Sequence, residues 1–300
     1  MMKPARTLLG LALLFAIAGG LFALPGLRAA LALPSLPSLY SSIVADGGST
    51  LVQGVPYGPL GRNLLDVYRP ASGDRSGPIV LFLYGGGWRS GERSTYGFVG
   101  AALAARGITT VIPDYRLFPE VRFPSFVEDA ARAYAWVDAT LASAPGGRRP
   151  IVVIGHSAGA HIAALLALDT RYLGAAGPDL ARPAGFVGLA GPYAFDATTY
   201  PSTAEIFTPA VGSQDARPLS FVSERAPPAL LLHGTKDETV GLWNTRALAE
   251  ALQARGRDAR KIELEGIGHA GLVLAISRPL RWRAPVLREI VAFVTAVAAK

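Results

Sequence analysis

The 300-residue chain contains no cysteine, only four histidines and two methionines, and no more than 17% charged residues. Each shortage removes a class of chemistry. Without cysteine there is no disulfide, no thiolate nucleophile and no thiolate metal site. A chain of this size can bury enough core to be stable without disulfides, so their absence assigns no compartment. The histidines are His156, His161, His233 and His269, and none is spaced as in the His-Glu-x-x-His ligand pattern. His156 and His161 do not fall on one helix face. The expectation is therefore no metal and no organic cofactor. The net charge is +7, yet no compact basic motif and no basic stripe interleaved with aromatics accompanies it, so no nucleic-acid partner is expected. The nearest cluster, Arg278, Arg281, Arg283 and Arg288, reads as a solvated helix face with a mild pull toward anionic membrane surfaces.

Lys3 and Arg6 precede an uncharged apolar run, Thr7–Leu24. A positive start followed by such a run predicts export, into the periplasm or medium or held at the inner membrane. At the lower limit for a bilayer span, the run is either a cleaved signal, with Ala30-Leu31-Ala32 as the cleavage-like site, or an uncleaved anchor. The Pro/Ser-rich Leu33–Ser42 reads as a tether. Residues 1–46 are thus predicted to be signal or anchor plus tether, and 47–300 one catalytic-size domain with 191–228 as a cap.

Within that domain a β-branched run, Ile151–Ile154, leads straight into Gly155-His156-Ser157-Ala158-Gly159 and then a helix-forming stretch. Gly-x-Ser-x-Gly between a strand and a helix is a nucleophile elbow. The turn is too tight for a Cβ at either glycine. The serine stands above the sheet, with a helix N-terminus behind it to stabilise negative charge. The elbow requires an acid and then a histidine downstream. Asp237 follows the apolar strand Ala229–His233, and His269 lies in Gly266-Ile267-Gly268-His269-Ala270-Gly271, read as a flexible loop. His269 is the expected general base for Ser157, with Asp237 fixing its tautomer. Asp114 and Asp129 precede the nucleophile and read as structural, and Glu238 as pointing elsewhere.

A second glycine-rich turn follows the strand run Pro78–Tyr84: Gly85-Gly86-Gly87-Trp88. Backbone N–H groups of Gly86 and Gly87, with that of Ala158 after the nucleophile, form the expected oxyanion hole. Trp88, Tyr193 and His156 are the expected substrate-contacting side chains.

These pieces, together with Pro113-Asp114-Tyr115-Arg116-Leu117 and Leu232-His233-Gly234-Thr235-Lys236-Asp237, resemble α/β-hydrolase carboxylesterases of the hormone-sensitive-lipase-like and feruloyl-esterase-like (BD-FAE) bacterial types. Two positions depart from the hormone-sensitive-lipase-like pattern. Tyr84 stands where such enzymes have histidine, and His156 where they have aspartate. The second feature is shared with the arylformamidase and feruloyl-esterase branches. The resemblance implies an α/β fold with a mostly parallel, eight-stranded twisted sheet flanked by helices. It also implies a serine esterase acting through an acyl-enzyme on small-molecule esters with short, medium or aromatic acyl groups. An arylformamidase-like amide hydrolase and a catalytically silent binding protein are the rival readings.

Alternating strand and helix runs predict the same layering. Strands fall near 51–57, 63–68, 79–84, 109–113, 151–154, 185–189, 229–233 and 261–264. Helices fall near 96–106, 124–141, 158–168, 243–255 and 284–299. The Gly191–Pro228 segment, rich in proline and aromatics, reads as a small fixed cap without a long amphipathic lid helix.

Overall fold

A computed structural model describes residues 36–300, apart from 74–75, 145–146 and 178–179. The apolar run Thr7–Leu24, the cleavage-like Ala30-Leu31-Ala32 and the first part of the tether lie outside the described residues.

The sheet has eight strands: β1 (Ser49–Pro56), β2 (Leu64–Pro70), β3 (Ile79–Leu83), β4 (Thr109–Pro113), β5 (Ile151–His156), β6 (Gly185–Leu189), β7 (Ala229–Gly234) and β8 (Ala259–Leu264). Their order is β1-β2-β4-β3-β5-β6-β7-β8. The β1–β2 and β2–β4 pairs are antiparallel, and all later pairs are parallel. Strands β3 to β7 are buried at every residue. That is why they read as continuous apolar runs rather than alternating ones: both faces are covered by helices.

The covering helices are α1 (Leu36–Val44), α2 (Gly97–Ala104), α3 (Ser125–Leu141), α4 (Ala158–Leu168), α5 (Thr170–Ala176), α6 (Trp243–Ala254), α7 (His269–Leu274) and α8 (Val286–Ala298). Chain order reverses in space between β3 and β5. After β3 the chain crosses to β4 on one side, and after β4 it returns to β5 on the other. In open α/β sheets this switch point opens a crevice at the carboxyl ends of the strands. The glycine turn after β3 and the elbow after β5 both end there.

Three elements differ from those expected from the sequence. Residues 36–44, expected to belong to a tether, form helix α1. Its Ser41 hydroxyl accepts the Phe98 N–H at 2.8 Å, near the start of α2, and Asp46 just beyond it pairs with Arg106 and Arg281. Helix α1 is thus fastened to the body through Ser41 and Asp46. His269, expected on a flexible loop, is the first residue of α7. Helix α5 was not anticipated either.

The 191–228 segment holds no α-helix, only 3₁₀ turns at Thr208–Ala210 and Pro218–Phe221. It is pinned to the body. Ile206 and Phe207 are fully buried, and Phe207 sits within ring contact of Trp88, Phe123, Phe126 and His161. Phe123 N–H donates to the Ile206 carbonyl (3.0 Å), and His161 Nε2–H to the Ala216 carbonyl (2.8 Å).

Candidate active site

Ser157 has φ 55° and ψ −123°, a left-handed conformation rare for a residue with a Cβ. Its surroundings hold it there. Its N–H donates to Leu189 O (2.9 Å), and its carbonyl accepts from Ala160 and His161 at the start of α4. The flanking glycines are sterically required. A Cβ on Gly155 would sit 2.2 Å from the Gly159 carbonyl oxygen, and one on Gly159 2.1 Å from the Leu83 carbonyl oxygen. The elbow and the end of β3 are in backbone contact, with no room for a methyl group between them.

The structure brings Ser157, His269 and Asp237 into one hydrogen-bonded line. Ser157 Oγ lies 2.8 Å from His269 Nε2. His269 Nδ1 lies 2.7 Å from Asp237 Oδ2. Facing a carboxylate, Nδ1 carries the proton, so Nε2 is the lone pair that accepts from the serine hydroxyl. Gly268 caps α7 and Lys236 N–H bonds the Ile267 carbonyl; the base therefore stands on a short helix tied to the acid loop.

Asp237 is held by more than its histidine. Its Oδ1 accepts the Thr239 and Val240 N–H groups, both at 2.9 Å. Its Oδ2 is also 3.3 Å from Nε2 of the fully buried His233. Burial alone would raise the Asp237 carboxyl, but bonds from His233, His269 and the Val240 N–H outweigh it and hold the group well below the usual carboxylate range. It stays ionised. His233 Nε2 faces a second acceptor, the Val240 carbonyl (2.8 Å), while its Nδ1 meets Thr245 Oγ1 (2.7 Å). From the sequence His233 read only as a strand-end residue of packing or supporting type. Its position at the end of β7, four residues before Asp237, is the signal that it reaches the acid.

His156, expected to contact substrate, is buried. Its ring lies 4.9 Å from that of His269, and its Nε2–H donates to the His269 carbonyl (3.2 Å). Burial, reinforced by the neighbouring His269, pushes its pKa down to about 3, so it remains neutral beside the base and adds no like charge. It positions His269.

Trp88 and Tyr193 are corrected more sharply. Trp88 has φ 58° and is 4% exposed. The left-handed turn sends its indole inward against Phe126, His161 and Phe207. Tyr193 is fully buried. Its ring fills space left by two glycines: a Cβ on Gly188 or Gly191 would lie within 1.9 Å or 2.4 Å of it. Both are core residues. Exposed aromatics include Trp243, just after the acid loop, and Tyr200 in the 191–228 segment, in edge contact with Phe195. Asn244 ties these segments together, its Oδ1 accepting the N–H groups of Ala194 and Phe195.

The glycine turn lies against the elbow: a Cβ on Gly85 would be 3.0 Å from Ser157 Cβ. Gly86 and Gly87 have φ 138° and 60°, and the Gly86 carbonyl is turned outward to accept from Arg89 and Ser90. Tyr84, at the departure from the resembling enzymes' pattern, is buried beneath the turn. It stacks on Tyr115 at 4.6 Å and donates to Asp114 (3.0 Å). Asp114 and Asp129 serve structural roles, as expected, taking Arg93 and Arg116 respectively. Glu238 is exposed. Among the described residues no cluster of histidine and carboxylate side chains has the makings of a metal site.

Comparison with known proteins adds to this geometry. The model of the prolyl oligopeptidase family matches residues 129–299, and the BD-FAE model matches residues 65–175. Esterase LipC of Mycobacterium tuberculosis is 34% identical over 236 residues, covering 72% of this chain and 58% of LipC. A probable isoprenylcysteine alpha-carbonyl methylesterase of Oryza sativa subsp. japonica is 33% identical over 269 residues, covering 81% and 62%. The chain thus spans about three fifths of the length of these curated relatives. Among solved structures, esterase B of Lactobacillus rhamnosis carrying a tributyrin phosphonate superposes with a TM-score of 0.72 at 17% identity, over 91% of this chain and 94% of that one. Thermogutta terrifontis esterase Est2 with propionate gives 0.65 at 22%, over 84% and 95%. At such identities the likeness is one of fold, the α/β-hydrolase fold.

Proposed function

The chain belongs to the prolyl oligopeptidase family, and from that premise we propose that it is a serine hydrolase of carboxylic esters. The observation that carries the reading is the Ser157–His269–Asp237 line, with links of 2.8 and 2.7 Å, standing at the switch point of the sheet. Esterase names among its relatives favour esters over peptides.

In the proposed mechanism Ser157 Oγ attacks the acyl carbon while its proton passes to His269 Nε2. Asp237 steadies the imidazolium that forms. The oxyanion accepts from the N–H groups of Gly86, Gly87 and Ala158, the last at the N-terminus of α4, where the helix dipole adds to the effect. His269 then gives the proton to the departing alcohol. Water, activated by the same imidazole, releases the acid from the acyl-enzyme. Removing one oxyanion donor typically costs about 3–4 kcal/mol of transition-state stabilisation.

Short, medium or aromatic acyl groups are proposed as the substrate class. The pinned 191–228 segment supports a site that does not open for long chains. Export through Lys3, Arg6 and Thr7–Leu24 is proposed on the sequence alone.

The test is a panel of p-nitrophenyl esters from acetate to palmitate, with a feruloyl ester, N-formylkynurenine and a peptide nitroanilide alongside. Highest kcat/KM is expected on an ester of eight carbons or fewer or on the feruloyl ester. Preference for palmitate above its micelle threshold contradicts the acyl-size assignment. Faster cleavage of the formamide or anilide contradicts the ester assignment.

A further inference from the structure

Between α7 and α8 the chain forms a 3₁₀ segment, Arg281–Arg283. At its centre Trp282 is 81% exposed, the most exposed of the large apolar side chains among the described residues. An indole left in water on both faces is costly in apolar area, and here it stands between two arginines. It borders an open groove of about 780 Å³ formed with Arg106, Leu287, Arg288 and Val291. In the sequence Arg278, Arg281, Arg283 and Arg288 read as a solvated helix face. In the structure only Arg288 lies on a helix, and the others sit in or before the turn.

The charge of this surface is poorly balanced. Arg106 and Arg281 share Asp46. Arg288 shares Glu289 with Arg260. Arg278 and Arg283 are exposed and form no ion pair with another described residue. The C-terminal end of α1 is fastened here, through Arg278 N–H to the Val44 carbonyl (3.3 Å) and Arg281 to Asp46. That helix carries two further exposed apolar side chains, Ile43 at 71% and Leu39 at 39%. Upstream of it in the chain runs the apolar Thr7–Leu24.

We propose that the surface built from Trp282, Arg278, Arg283 and Arg288 seats the protein on an anionic phospholipid bilayer. Trp prefers the headgroup region, where its ring is in apolar surroundings and its N–H in polar ones. Each arginine near an anionic leaflet adds favourable energy that falls off within a Debye length. Two weak attachments, an apolar chain segment and a basic patch, together hold a protein where either alone is reversible. A nucleic acid accounts for the arginines but leaves Ile43 and Leu39 without a role, so the bilayer is the better fit. The inference goes beyond the ester chemistry and does not depend on it.

The test uses the full chain with vesicles of brominated phosphatidylcholine, with and without brominated phosphatidylglycerol, reading tryptophan quenching. The Trp282 signal is the difference between wild type and Trp282→Phe, which isolates it from Trp88, Trp136 and Trp243. Quenching of that difference signal is expected with phosphatidylglycerol present and is weakened by salt. In the Arg278→Gln/Arg283→Gln protein the lipid concentration needed rises roughly 25-fold, taking about fivefold for each arginine. Hydrolysis of soluble p-nitrophenyl butyrate stays unchanged in both variants, which separates this proposal from the catalytic one. Equal quenching in wild type and Trp282→Phe overturns it, because the protein is then held by its N-terminal segment with this face turned away. So does equal quenching without phosphatidylglycerol. Protection of Trp282 from acrylamide by heparin but not by vesicles overturns it in favour of a soluble polyanion.

Discussion

Among single residues, the groups that react are distinct from the groups that hold them. Ser157→Ala removes the nucleophile, and ester hydrolysis is expected to fall to the level left by binding and the oxyanion donors, a loss of several orders of magnitude in kcat. Asp237→Asn presents an amide to His269 Nδ1 and permits the wrong tautomer. About 10⁴-fold is expected, with KM little changed, as for the corresponding change in the serine-protease template. Steady-state kinetics on p-nitrophenyl butyrate checks both; full activity in Asp237→Asn with loss in a Glu238 variant assigns the acid elsewhere. The line of three was legible in the sequence, because an elbow is a contiguous motif and its partners follow in fixed order. Side-chain direction was not legible. Trp88 follows the glycine turn by one position, but its positive φ points the indole into the core. Tyr193 fills the space over Gly188 and Gly191, a packing that neither glycine announces alone. The support of Asp237 by His233 needed the β7 turn in three dimensions.

At the scale of elements, the elbow tolerates no added volume. Gly159→Ala places a methyl 2.1 Å from the Leu83 carbonyl oxygen and 2.3 Å from that of Tyr84, and backbone cannot move aside as a side chain does. Loss of soluble folded protein, or a fall in Tm of at least several degrees, is expected by calorimetry; an unchanged Tm and kcat/KM contradicts the strand-to-elbow contact. The capping segment hangs on Phe207, buried among Trp88, Phe123, Phe126 and His161. Phe207→Ala is expected to cost about 3–5 kcal/mol, read by urea unfolding, and to loosen acyl-size selection on the ester panel. The parallel strands were legible because strands covered on both faces read as short apolar runs of strand length bounded by turn residues. Helices α1 and α7 were not. In α1, Pro37 stands in the first turn, where proline is accommodated rather than disruptive. In α7, six residues behind a glycine-rich turn are too few to show a 3.6-residue period.

At the scale of the whole molecule, two buried neutral histidines make the fold sensitive to acid. Burial, first of all, lowers His156 to about 3 and His161 to about 4, against about 6.5 when unfolded. Between those values the unfolded chain binds more protons than the folded one, so stability rises with pH across this window. The contribution is complete above pH ~6.5 and is lost as pH falls toward 4 and then 3. Urea midpoints are expected to drop steeply from pH 7 to pH 4.5, and less steeply in His161→Phe, whose ring contacts with Trp88 and Phe207 stay apolar. A flat profile, or the same slope in that variant, contradicts burial of His161 in neutral form. The esterase reading rests on Ser157 as the nucleophile. The full chain is treated with an alkyl fluorophosphonate, and the adduct is located by peptide mass spectrometry. A single phosphonyl group on Ser157, no labelling of Ser157→Ala, and slowed labelling in Asp237→Asn are expected. An adduct on another residue, or none at all under conditions that label a control esterase, contradicts Ser157 as the nucleophile.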